Sequence, residues 1–257
     1  MSLFVRVIQN PKRAFKALAH RLVCLVGHAD YTRFIVLTRS RTGSNMLLSF
    51  LRSHPNVAAD GEILKWLEGR RAKQILQNTF AKQPPWIKAK GFKLFYYHPQ
   101  DDASGRLWRE LAEMSDLRVI HLKRWNILRT LVSRKIAEFQ DVWQVRSRQE
   151  ASAQTHTPKV RFDPDELKQK FAQTQRWQKE ADRWFDDHSL LDVDYRDLVE
   201  APTDEFSRVT AFLDLPFVPP ATRLEKQNPE PLPELVANYH ELKAVFRRTR
   251  WEAFFES

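Results

Sequence analysis

The chain has 257 residues and a formal charge of +10, from 42 Lys and Arg against 32 Asp and Glu, a length that allows one large domain with a sizeable core or two small ones. The basic balance favours anionic partners (nucleotide, nucleic acid, acidic glycan or membrane surface), although a soluble protein with one basic face has the same composition. A single cysteine, Cys24, excludes an intrachain disulfide framework and fits a reducing cytoplasm, and no run reaches the roughly 20 apolar residues of a membrane span.

Residues 1–30 read as a basic amphipathic helical segment, with Lys12, Arg13, Lys16 and Arg21 among Phe15, Leu18, Leu22 and Leu25. The basic residues interrupt the hydrophobic stretch that a signal peptide needs. Such a helix either packs on the rest of the chain or lies on an anionic membrane. No Gly/Ser-rich linker, long charge block or repeat divides residues 31–257, which read as one domain.

The run Phe34-Ile35-Val36-Leu37 has a strand pattern and stops at the polar cluster Thr38 to Ser44. Met46, Leu47, Phe50 and Leu51 then follow at helical spacing. Strand, tight polar loop and helix form a phosphate cradle, because loop amides and the first helical turn point at one spot favoured by the helix dipole. Arg39 and Arg41 add positive charge, and Gly43 lets the backbone approach a ligand. The loop lacks the second Gly and the Lys of a nucleotide triphosphatase motif.

Downstream, Asp60-Gly61-Glu62 follows the first helix, and Gly91-Phe92-Lys93-Leu94 reads as a buried strand with His98 just beyond it. Leu117 to Leu122 is strand-like, Lys123 to Asn126 breaks it, and Ile127, Leu128, Leu131, Val132 and Ile136 recur at helical spacing. Arg124 therefore ends a strand and Ser133 lies two turns into the next helix. The polar stretch Arg146 to Lys159 reads as a mobile loop, and Pro164 to Asp187 as a long helix whose Phe171, Trp177 and Trp184 serve core or helix-pair packing rather than sugar stacking. Leu190 to Val199 contains a further strand with Tyr195 at its end, and Pro216 to Pro233 an ordered surface loop. Alternating strand and helix patterns predict a three-layer α/β fold with a mainly parallel central sheet flanked by helices. No Cys/His cluster has zinc spacing and no acidic loop has calcium spacing, so no metal is expected.

Arg41-Thr42-Gly43-Ser44 resembles the 5'-phosphosulfate loop of the sulfotransferases that use 3'-phosphoadenosine 5'-phosphosulfate (PAPS), with Arg41 at the catalytic basic position. Arg124 and Ser133 resemble the family's 3'-phosphate motif at the longer spacing of the bacterial carbohydrate and glycolipid branch, of trehalose and Nod-factor type. The resemblance runs from about Arg33 to Phe254 and implies a P-loop-like fold. It implies that Arg39, Arg41, Thr42, Gly43, Ser44 and Asn45 hold the donor's 5' end, Arg124 or Lys123 with Ser133 its 3'-phosphate, Tyr195 the adenine, and Lys226 the 3'-phosphate from the C-terminal segment. Glu62 matches the presumed general base of bacterial members, His98 is the second candidate, and Lys93 matches a Lys near the sulfuryl group.

The resemblance thus implies sulfuryl transfer from PAPS to a hydroxyl of a carbohydrate or glycolipid, with adenosine 3',5'-bisphosphate as product and no metal. Two other functions remain open at this stage. A kinase would need Mg²⁺ ligands and a loop Lys. A nucleic-acid binder would need Phe92, Phe95, Tyr96 and Tyr97 on an open basic face, whereas that segment reads better as a buried strand. A cytoplasmic location is expected, with the N-terminal segment as a route to a membrane.

Overall fold

The computed structural model describes residues 27–140, 158–222 and 230–256. Most of the N-terminal segment, residues 146–157 of the polar loop and Lys226 lie outside the described residues. Five strands form one sheet in the order β2-β3-β1-β4-β5. They are β1 (Thr32–Thr38), β2 (Val57–Asp60), β3 (Ala89–Phe95), β4 (Leu117–Lys123) and β5 (Leu190–Asp194). Every neighbouring pair is parallel, so the expected mainly parallel sheet is parallel throughout.

Burial explains the pattern. Parallel strands are covered on both faces and read as continuous apolar runs. In β1, Ile35 and Leu37 face one core while Phe34 and Val36 face the other, as the period of two requires. Helix α1 (Ser44–Ser53) packs its Leu47, Leu48, Phe50 and Leu51 on the second face. Helices α2 (Ala72–Thr79) and α3 (Arg106–Ala112) cover the first face. A third cluster joins α4 (Ile127–Gln140) and α5 (Pro164–Trp184) to the C-terminal region. Gly91 permits the β1–β3 contact, since a Cβ there would stand 2.2 Å from the Phe34 carbonyl oxygen.

Strand β2 escapes the sequence reading, because Val57-Ala58-Ala59-Asp60 is short and half alanine, a residue depleted in strands. It carries functional weight. After α1 has run away from the loop, β2 brings the chain back parallel to β3, with Asp60 beside Phe92. Strand β5 ends at Asp194 because that side chain accepts the Arg196 N–H at 2.8 Å and caps α6 (Tyr195–Glu200). Tyr195 therefore opens a helix rather than ending a strand. Helix α7 (Pro202–Phe212) completes the cover of the second face, and α8 (Leu232–Leu235) and α9 (Tyr239–Val245) belong to the third cluster. Among the described residues, no helix is long and apolar enough to cross a membrane.

The sheet has a topological switch point. From β1 the chain adds β2 and β3 on one side, then crosses to add β4 and β5 on the other. Ligands of open parallel sheets bind where the order reverses, outside the carboxyl ends of the strands. Here that place lies between the loop after β1 and the loop after β4.

Candidate active site

The loop after β1 is shaped by two left-handed residues, Arg41 at φ 70° and Gly43 at φ 88°. Gly43 is the N-cap of α1 and no side chain bonds the first amides. The first turn of a helix always has amides without an intrahelical partner, so this terminus keeps donors for an anion. Beneath the loop, the Thr42 hydroxyl donates to the Arg39 carbonyl, and Thr38 and Thr42 hydroxyls lie 2.7 Å apart. Thr42 is buried, so its side chain fixes the loop's shape from below.

Across the switch point, the loop after β4 meets this cradle directly. Arg41 Nε donates to Ser133 Oγ on α4 at 3.0 Å. Arg124 Nη1 reaches the Arg41 carbonyl at 3.4 Å, and its guanidinium lies 4.5 Å from the centroid of the Tyr195 ring. The same ring presses on Gly43, where a Cβ would come within 2.1 Å of it. Two sequence motifs separated by about eighty residues thus form one basic patch. Burial pushes Arg124 down to about 10, with the cations Arg129 and Arg41 adding to the effect. Burial also lowers Arg41. Among the described residues, no carboxylate stands within ion-pair distance of Arg124, so an incoming anion would relieve its desolvation.

Lys123, the other candidate for the 3'-phosphate, is engaged elsewhere. Its Nζ lies 2.7 Å from Asp192 and 3.4 Å from Asp182. Buried His121 completes this group, with Nδ1 3.0 Å from Asp182 and Nε2 2.8 Å from the Tyr96 hydroxyl. The ligand atoms of His121, Asp182 and Asp192 lie within 4.8 Å of one another, and the Lys123 ammonium supplies their cation.

A second polar cluster adjoins the first turn of α1. Lys93 points from central strand β3 and donates to Asn45 Oδ1 at 2.8 Å, while Glu62 Oε1 lies 2.9 Å from the same ammonium. The Lys93 N–H also bonds the Gly61 carbonyl at 3.2 Å, which ties the Glu62 loop to the sheet. Burial lowers the Lys93 pKa although Glu62 opposes it. His98 is buried, and its Nδ1 accepts the Phe95 N–H at 3.3 Å. Its proton is therefore on Nε2, which has no hydrogen-bond partner among the described residues and faces Glu62 Oε2 at 3.9 Å. Burial first, then Lys65 and Lys93, hold His98 at about 4, so the ring is neutral at neutral pH.

Residues 109–219 match the model described as Sulfotransferase family. That stretch includes Arg124, Ser133 and Tyr195. Nodulation protein H of Rhizobium meliloti (strain 1021) is 28% identical over 245 residues, covering 87% of this chain and 94% of that protein. Nodulation protein H of Rhizobium tropici is 28% identical over 238 residues, covering 87% and 92%. Over these residues the chain is similar to sulfotransferases. A solved sulfotransferase from Alicyclobacillus acidocaldarius has 15% identity and a TM-score of 0.48, covering 87% of this chain and 95% of that one.

Most residues singled out in the sequence meet at the switch point: Arg41, Gly43, Ser44, Asn45, Glu62, Lys93, His98, Arg124, Ser133 and Tyr195. Arg39 is not brought to the patch. Its buried guanidinium donates to Thr174 on α5 and lies 6.0 Å from the Trp177 ring centroid. It braces the loop against α5, a role that local sequence does not distinguish from anion binding. Asn45 serves through its side chain, as the anchor of Lys93. The sequence reading misses Arg129, whose guanidinium bonds the Glu230 carbonyl at 2.6 Å and adds positive charge beside Arg124. The available signal is spacing, because Arg129 is one turn before Ser133 on the same helical face. Phe92, Phe95 and Tyr96 are buried, so this segment offers no open stacking face for nucleic acid.

Proposed function

We propose that this protein is a sulfotransferase that takes the sulfuryl group from PAPS and gives it to a hydroxyl of a carbohydrate or glycolipid, with Glu62 as general base. The observation that carries the reading is the Arg41–Ser133 hydrogen bond of 3.0 Å, which joins the cradle after β1 to the patch after β4. A donor with a phosphate at each end of one nucleoside fits two adjoining anion sites better than a single-phosphate ligand does. The uncapped α1 terminus and the desolvated Arg124 fit its 5' and 3' groups respectively. Tyr195 is wedged between Gly43 and Arg124, a position that supports a packing role beside the nucleotide.

When bound, PAPS supplies the sulfuryl group, its sulfur–oxygen bond to the 5'-phosphate breaking as the acceptor oxygen bonds sulfur. Arg41 and the α1 amides neutralise the charge left on the phosphate side. Glu62 takes the acceptor proton, and Lys93 holds the carboxylate in place through the 2.9 Å pair. His98 is poorly suited to the base role, since Nε2 already carries its proton and Nδ1 is committed to the Phe95 amide. Lys226, outside the described residues, remains a candidate for a further 3'-phosphate contact.

Adenosine 3',5'-bisphosphate tests the donor assignment. At about 100 times its dissociation constant it should stabilise the protein by roughly 2.7 kcal/mol without added metal. No thermal shift at millimolar nucleotide, with a clear shift on Mg-ATP, would replace this reading with phosphoryl transfer. Glu62→Gln should retain that shift and lower kcat by about 10²–10⁴. Normal turnover by Glu62→Gln beside a dead His98→Gln would move the base to His98.

A further inference from the structure

The loop that carries Glu62 also presents an unburied tryptophan. Trp66 is 46% exposed, yet the loop around it is tightly held. Leu64 and Leu67, on either side, are buried in the core on the α2 face. The Lys65 N–H bonds the Glu62 carbonyl at 3.2 Å, and the Lys65 carbonyl accepts the Gln100 N–H at 2.9 Å. The Asp101 carboxylate accepts the Leu67 and Glu68 amides, both at 2.8 Å. The backbone that presents the indole at the surface is therefore held by its own loop.

Single exposed apolar residues are common on protein surfaces and need no function. Position sets this one apart. The Lys65 ammonium lies 5.9 Å from the Trp66 ring centroid, and the same ammonium is near enough to His98 to lower its pKa. His98 in turn faces Glu62 at 3.9 Å. Trp66 thus sits on the loop that carries the proposed base, four residues beyond it, where the Lys65 N–H bonds the Glu62 carbonyl. Its surroundings also restrict the ligand. Lys65, Glu68, Arg70 and Arg71, its neighbours along the loop, are all exposed, so this segment presents one apolar ring among charged side chains. A lipid chain or a protein partner would call for a wider apolar patch. A pyranose suits the arrangement: its C–H face covers an aromatic ring, and its hydroxyls reach the surrounding charged groups.

We infer that Trp66 is an acceptor-binding residue, the platform on which a pyranose ring stacks to bring a hydroxyl to Glu62. The inference rests on the carbohydrate reading above and adds a residue and a contact mode to it. Binding of trehalose and of an N-acetylglucosamine tetrasaccharide to protein loaded with adenosine 3',5'-bisphosphate tests it, read by saturation-transfer NMR and by titration. Trp66→Ala should weaken the sugar that wild type binds by about tenfold or more, and Trp66→Phe should recover part of this. Trp86→Ala is the control. That tryptophan is 54% exposed but precedes β3, at the amino end of the strands and so opposite the site at their carboxyl ends. Equal sugar affinity in Trp66→Ala and wild type overturns the assignment, as does a wild type that binds the nucleotide and neither sugar. The thermal shift with adenosine 3',5'-bisphosphate should be the same in all variants. Its absence from wild type would count against the donor assignment, so the two readings fail separately.

Discussion

At the scale of single residues, Lys123 and Arg124 show why neighbours in sequence receive different work. Lys123 ends β4, Arg124 follows it, and both are cations. The Lys123 ammonium is held by Asp192 and Asp182, whereas Arg124 is desolvated against Tyr195 and Arg41. Arg124→Ala should therefore weaken PAPS binding by about 1.5–3 kcal/mol, the usual size of a charge-assisted contact. Adenosine 5'-phosphosulfate, which lacks the 3'-phosphate, should bind almost unchanged, and Lys123→Ala should leave both affinities near wild type. Equal losses for both nucleotides on Arg124→Ala would make Arg124 structural. Residue type alone could not separate these two cations, nor remove Arg39 from the site, because the deciding partners Asp182, Asp192 and Thr174 lie far along the chain.

At the scale of elements, the site depends on two strand–loop–helix junctions and one short strand. The junction after β1 needs glycine twice over, for φ of 88° and for the Tyr195 ring against it. Gly43→Ala should cost about 1–2 kcal/mol from backbone strain alone, with more from displaced Tyr195, and should lower nucleotide affinity as the cradle opens. Gly61→Ala is the contrast, since its added Cβ meets nothing within 4 Å. Urea unfolding and nucleotide titration of the two variants check this, and equal behaviour would refute it. Both junctions were legible from hydrophobic pattern and loop composition. Strand β2 was not, although it delivers Glu62, because two alanines in four residues give almost no strand signal.

At the scale of the whole molecule, burial of ionisable groups links function to stability. His98 titrates at about 4 in the fold against an ordinary 6.5, and burial likewise lowers His121. The unfolded chain gains these protons below about pH 6.5 while the folded chain resists them to about pH 4. Stability present above that window is therefore lost as pH falls through it. From pH 7 to 5, His98 alone should account for about 2 kcal/mol. Denaturant unfolding at the two pH values should show a smaller loss for His98→Gln than for wild type. An unchanged pH slope would mean that His98 is not held neutral in the fold.

The local sequence was sufficient for the α/β class, the parallel sheet and the two strand–loop–helix junctions, because each depends on periodicity and short-range loop chemistry. Tertiary structure alone decided which cations line the switch point, that Lys93 enters it from the interior strand β3, and that Glu62 returns beside it. Those outcomes depend on pairing across the sheet, such as Asp60 beside Phe92 and Thr38 beside Phe95. Such pairings join residues distant in sequence, and their burial selects the partners that a linear pattern leaves open.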